Sequence, residues 1–111
     1  YTIERIKPLL ERAKKNLKLL GIKNVEYKHD DGSLGWEERA PFDAIITTAA
    51  PQIIPAELYQ QLSSEEGSLV IPVGADNQQY LKHIVKSGQN IHTENLGSVR
   101  FVPLLTGQVH T

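Results

Sequence analysis

The spacing of apolar residues changes along the chain, and each change marks an element. Leu9, Leu10, Ala13, Leu17 and Leu20 recur near the helical period, with Lys14, Lys15 and Lys18 on the opposite side. Pro8 suits a first helical turn and Gly21 a left-handed C-terminal cap, so a helix is predicted over about 6–20. Before it, Tyr1-Thr2-Ile3-Glu4 is β-prone and reads as the end of a strand. Val25 to His29 alternates as a strand does, and Asp30-Asp31-Gly32-Ser33 ends it. Residues 33–41 form a polar loop that carries Trp36. Phe42 to Ala49 is an apolar, β-rich run, the pattern of a strand covered on both faces, and Ala50-Pro51 breaks it. A short helix is predicted from about Pro55 to Leu62, ending toward Glu66-Gly67. Another buried strand, Ser68 to Val73, closes at Gly74.

Strands alternating with helices imply right-handed crossovers and a largely parallel sheet. The last third reads differently. Gln79 to Lys86, Asn90 to Leu96 and Val99 to Leu104 are β-like, with a turn at Ser87-Gly88 and no helix between them. They are expected to pair antiparallel at one edge, giving an α/β fold with mixed strand directions. No internal repeat, low-complexity tract or linker is visible.

Composition narrows the function classes. The 111 residues suffice for one domain, 40% apolar and 23% charged. A net charge of −1 lacks the basic excess that phosphate contacts demand, so a nucleic-acid partner is not expected. The basic stretch from Arg12 to Lys18 reads as the solvated face of a helix. No apolar run approaches the roughly 18 residues of a membrane span, and the first residues do not read as a signal peptide. Cysteine is absent, which excludes disulfides, thiolate metal sites and a cysteine nucleophile. A cytoplasmic setting is expected. His29, His83, His92 and His110 lack metal-ligand spacing, so no metal site is predicted. Methionine is also absent, and the start inside a strand predicts a truncated chain.

A parallel α/β sheet binds its ligand beyond the carboxyl ends of its strands. That rule selects Glu4, Asp31-Gly32, Thr48-Ala49-Ala50-Pro51 and Pro72-Val73-Gly74. Glu4 could accept hydrogen bonds from both ribose hydroxyls of an adenosine cofactor, or simply stand near a helix N-terminus, where an acidic group is favoured. Asp31 could receive an adenine amino group while Gly32 lets the ring approach the backbone. Asp-Gly is equally a common turn pair. Ala49, Ala50 and Pro51 leave room for a substrate or a transferred methyl, or make a tight connection. No G-x-S-x-G elbow, P-loop or G-x-G-x-x-G occurs.

These segments together resemble the protein-L-isoaspartate O-methyltransferases in order and spacing. The resemblance is carried by Glu4-Arg5-Ile6, Asp31-Gly32 with Gly35-Trp36, Ala40 to Ile46, Thr48 to Pro51, Gly67 to Gly74, Gln79-Tyr80-Leu81 and Val99 to Leu104. Its most specific part is Phe42 to Pro51 joined to the Arg100-Phe101-Val102-Pro103-Leu104 ending.

The resemblance implies the later strands of a Rossmann-like class I methyltransferase sheet, residues 1–111 being the C-terminal portion of one domain. It implies S-adenosylmethionine as cofactor, with Glu4 on the ribose, Asp31 and Gly32 bordering the adenine, and Ala49 near the transferred methyl. Ala50 and Pro51 would line the site beside Ala49 and touch the substrate, an isoaspartyl residue in a damaged protein or peptide, and Val102, Pro103 and Leu104 would help form the wall against which it lies. Methylation of its carboxylate, followed by succinimide formation, would return part of it to aspartate. The carboxylate is already ionised near neutral pH, so positioning in a dry pocket would carry the reaction.

The family's glycine loop and its hydroxyl-bearing substrate contact are expected upstream of Tyr1, so no catalytic residue is assigned here and the isolated segment is expected to be inactive. Exposed strand edges predict self-association. Two other readings remain open on sequence: a nicotinamide-dependent oxidoreductase, whose ribose Glu4 could equally hold, and a small α/β module that only binds a partner.

Overall fold

The computed structural model describes residues 1–111, which fall into two units: Tyr1–Gly35 with Leu105–Thr111, and Trp36–Leu104. In the first unit, β1 (Thr2–Glu4) lies parallel to β2 (Tyr27–His29), with Thr2, Ile3 and Glu4 opposite Tyr27, Lys28 and His29. The strand expected from Val25 begins only at Tyr27. Its partner offers three residues, and the bond from Thr2 N–H to Glu26 C=O closes that end of the ladder. Between the strands runs α1 (Lys7–Leu19), with Pro8 in its first turn as predicted.

The helix ends in a Schellman motif. Gly21, at φ +74°, donates to Lys18 C=O at 3.0 Å, and Ile22 donates to Leu17 C=O at 3.0 Å. The left-handed conformation explains glycine at this position. The apolar stripe is narrower than the sequence suggests. Leu10 is buried, Ala13 and Leu17 are half-buried, and Leu9 and Leu20 are exposed.

A C-terminal stretch completes this unit. Val109 forms a parallel bridge with Ile6, donating to Arg5 C=O at 2.7 Å and accepting from Lys7 N–H at 2.8 Å. The His29 Nε2 lies 2.9 Å from Arg5 C=O and 3.0 Å from Val109 C=O. Both partners are acceptors, so Nε2 carries the hydrogen.

The second unit is a four-stranded sheet in the order β3 (Ala44–Ile46), β4 (Glu65–Ala75), β5 (Gln78–Ser87), β6 (Asn90–Val99). The β3–β4 pair is parallel, and β4–β5 and β5–β6 are antiparallel, so the predicted change of direction occurs at β4. One short helix, α2 (Ala56–Gln61), follows β3. Leu58 and Leu62 pack against Leu69, Ile71 and Ile84, with Ile45 and Val73 at the margin. Leu69, Ile71 and Val73 recur every second residue, as one face of a strand requires. Lys86 Nζ donates to the carbonyls of Tyr59 at 2.9 Å and Leu62 at 3.2 Å, placing a cation at the end of α2 where the carbonyls point outward. Lys86→Met is expected to cost about 1 kcal/mol, read as a lower urea midpoint with an unchanged slope.

Three sequence expectations change here. β3 is short and covered on one face only: Ile45 meets the core, whereas Ala44 and Ile46 are exposed. β4 runs past Gly74 to Ala75, so Pro72, Val73 and Gly74 lie within a hairpin arm rather than after a strand. Val99 to Leu104 does not form a further antiparallel strand: β6 ends at Val99, and the following residues turn to a different partner, described below.

Candidate functional site

In the first unit, Glu4 and Asp31 leave the same, carboxyl, end of the parallel β1–β2 pair, joined there by the bond from Asp30 N–H to Glu4 C=O at 3.2 Å. The half-buried Glu4 accepts the Ile6 N–H on Oε1 at 3.1 Å, at the residue that precedes α1. One oxygen thus serves the helix start, and that bond sets the direction of the carboxylate.

Asp31 is 7% exposed, and its carboxylate is heavily used. Oδ1 accepts the Ser33 N–H at 2.9 Å and the Ser33 hydroxyl at 2.6 Å, and Oδ2 accepts the Gly107 N–H at 3.0 Å. Burial pushes its pKa up, but the Ser33 hydroxyl, the Gly107 N–H and the Ser33 N–H outweigh burial and hold it below the ordinary 3.8. Asp30 is also held low, first by the Asp31 N–H, then by the Gln108 amide and Lys28.

Gly32 opens a single 3-10 turn, and a Cβ built there meets no atom within 4 Å. The fold therefore does not itself demand glycine at this position. A cofactor ring against the backbone would.

In the second unit, the loop after β3 and the segment after β6 come together. Ala50 N–H donates to Val102 C=O at 2.7 Å, and Leu104 N–H donates to Ala50 C=O at 2.9 Å, so Pro103 sits opposite Ala50 in a parallel bridge. Pro103 has no N–H and loses nothing by facing away from a ladder. Ala50 and Pro51 are buried, Ala49 is half-buried, and Val102 is 69% exposed. Pro51 C=O accepts the Gly74 N–H at 2.9 Å, which ties the loop to the β4–β5 hairpin. A cleft of about 470 Å³ opens here, lined by Ala50 and Pro103 together with Gln52, Gly74, Asp76 and Gln79. Pro51, Val102 and Leu104 flank the cleft without lining it.

The sequence resemblance took in Gln79 and Gly74 but gave them no role. Gln79 is 2% exposed, and nothing in the alternation of β5 marks it as an inward polar residue. Gln52 and Asp76 carried no signal beyond their place in loops. The rings of His29 and His110 meet edge to face with centroids 5.0 Å apart, but no group of three or more His, Asp or Glu stands at metal-holding distance. No helix is long and apolar enough to cross a membrane.

A parallel start, a switch to antiparallel pairing at β4, and a cleft beyond the carboxyl end of β3 define an α/β fold of the Rossmann-like methyltransferase type. Solved structures agree with that class. The chain is similar to a protein-L-isoaspartate O-methyltransferase at a TM-score of 0.81 and 27% identity, covering 91% of this chain and 32% of that one. It is also similar, at a TM-score of 0.79 and 33% identity, to a putative protein-L-isoaspartate O-methyltransferase from Plasmodium falciparum crystallised with S-adenosyl-L-homocysteine. That match covers 93% of this chain and 50% of that one.

Among curated relatives, a protein-L-isoaspartate O-methyltransferase of Dictyoglomus thermophilum is 58% identical over 104 residues, which is 94% of this chain and 47% of the relative. One of Saccharophagus degradans is 51% identical over 109 residues, 96% of this chain and 48% of the relative. The sequence profile of the protein-L-isoaspartate(D-aspartate) O-methyltransferase family matches residues 1–109, and the chain belongs to that family. It spans about half the length of the curated relatives it matches.

Proposed function

We propose that the protein carrying this chain transfers a methyl group from S-adenosylmethionine to the carboxylate of L-isoaspartyl residues in damaged proteins and peptides. The observation that carries the reading is the Ala50–Pro103 bridge, because two segments 53 residues apart, both assigned to substrate by the family resemblance, meet at one cleft through paired backbone bonds. The P. falciparum relative, crystallised with S-adenosyl-L-homocysteine, supports the choice of cofactor.

The residues present suit that cofactor. Gly32 lacks a Cβ where the chain itself leaves space. Glu4 offers a carboxylate whose acceptor capacity exceeds its single bond to Ile6, as two ribose hydroxyls require. Asp31 and Gly32 would border the adenine, and the small side chain of Ala49 would leave room near the transferred methyl. The cofactor, when bound, supplies an electrophilic methyl group.

What the chain's own residues contribute is placement. The isoaspartyl carboxylate is ionised near neutral pH and needs no strong base, so holding it in one orientation and excluding water is the main task. Ala50 and Pro103 would supply apolar lining for that purpose, with Pro51, Val102 and Leu104 beside the cleft. The same proposal takes residues 1–111 as the C-terminal portion of one methyltransferase domain, acting in the cytoplasm. Self-association through an exposed sheet edge belongs to the same proposal.

The test is methyl transfer from radiolabelled S-adenosylmethionine by the full-length protein. A peptide containing isoaspartate is expected to gain a base-labile methyl ester, and the same peptide with ordinary aspartate to gain none. Gly32→Val provides a second arm. It is expected to leave the melting temperature unchanged and to weaken S-adenosylmethionine binding at least tenfold, because the added side chain would stand in open space where this reading places the adenine. Equal labelling of both peptides, or none, would refute the proposed activity.

A further inference from the structure

The carboxamide of Gln79 is almost wholly enclosed, and its bonding is specific. Its Oε1 accepts the Phe101 N–H at 2.7 Å, and its Nε2 donates to Phe101 C=O at 3.0 Å. Phe101 lies two residues beyond the end of β6, where the strand ladder no longer supplies partners for its backbone. In register, Gln79 stands opposite Val99, the last residue of that ladder. The side chain therefore acts as a substitute peptide unit, continuing the pairing from within β5 after the main chain has parted from it. A donor and an acceptor acting on one residue also fix how the segment is rotated, which a single bond would not do.

The consequences reach the cleft within three residues. Immediately after Phe101, Val102 C=O and Leu104 N–H are held by Ala50, and Pro103 lines the cleft beside Gln79. The segment is thus clamped from two directions, by Gln79 at Phe101 and by Ala50 at Val102 and Leu104.

We propose that Gln79 is a positioning residue for the substrate wall. Its carboxamide sets where Val102, Pro103 and Leu104 stand, and through them how an isoaspartyl peptide is seated. This inference rests on the reading of the cleft as the substrate site. Simple satisfaction of a buried polar group would explain the two bonds, but it would not link Gln79 to peptide recognition, and that link is what can be measured.

Two variants of the full-length protein separate the cases. Gln79→Leu removes both bonds and is expected to raise the KM for an isoaspartyl peptide roughly tenfold or more while leaving S-adenosylmethionine affinity within about twofold. Gln79→Glu gives a pH-dependent rescue. The ionised carboxylate would face Phe101 C=O and repel it, whereas the carboxylic acid accepts the N–H and donates to the carbonyl as glutamine does. Burial raises the pKa of such a group, so the peptide KM of Gln79→Glu is expected to fall toward the wild-type value as pH is lowered from about 8 to about 6. Gln79→Leu and the wild type should show no such trend.

A peptide KM that is unchanged in Gln79→Leu, or a Gln79→Glu variant whose KM does not follow pH, would overturn the inference while leaving the methyltransferase reading intact. A wild-type protein with no isoaspartyl methylation would remove that reading, and the inference with it.

Discussion

Gly74→Ala is expected to destabilise the protein by on the order of 3 kcal/mol, seen as a fall in melting temperature of several degrees. Two causes act together. The residue has φ +135°, a conformation in which L side chains are strained. A Cβ built at Gly74 also runs into the carbonyl oxygen of Gln78 across the hairpin, and that neighbour is backbone, which cannot swing aside. The change should reach the cleft as well, because Gly74 lies opposite Gln79 in the β4–β5 register and donates to Pro51 C=O. Gly32→Ala serves as the control, since its Cβ meets nothing within 4 Å. If both variants melted together with the wild type, the close approach at the hairpin would not exist.

Asp31→Ala is expected to have an effect of similar size, about 3 kcal/mol, by a different route. It leaves the Ser33 N–H, the Ser33 hydroxyl and the Gly107 N–H without their common acceptor in a mostly buried place. Amide exchange at Gly107 should rise with the loss of stability, because that bond ties the C-terminal stretch to the loop after β2.

The pH dependence has a definite sign. The Asp31 carboxyl is held below its ordinary 3.8, so its contribution is complete above the unfolded value and disappears as pH falls through the lower folded value. Asp30 acts in the same direction. The wild type should therefore lose stability steeply below about pH 4, and Asp31→Ala should lose less over the same range. Equal slopes for the two proteins would show that Asp31 is not held low by these bonds.

Local chemistry was readable wherever neighbours in the chain decide the outcome. The leucine spacing and Pro8–Gly21 pair located α1 to within a residue or so at each end, since a helix depends on bonds four residues apart and on its caps. The turn at Ser87-Gly88 and the antiparallel β5–β6 pairing followed from glycine and the lack of an intervening helix. Phe42 to Ala49 marked a strand correctly but overstated its length, because β-prone residues do not say how many of them find a ladder partner.

The chain order of residue types was thus enough to specify the α/β alternation, the change of strand direction and the family, all of which rest on short-range periodicity and on motifs contiguous in sequence. What the tertiary structure alone decided is which distant groups meet. Ala50 pairs with Pro103, Gln79 grips Phe101, and Asp31 holds Gly107, across separations of 53, 22 and 76 residues. Each is a hydrogen bond between a particular side chain or peptide group and a backbone position left without a ladder partner. No spacing rule encodes such a need, because it arises only after the strands have paired and run out of partners.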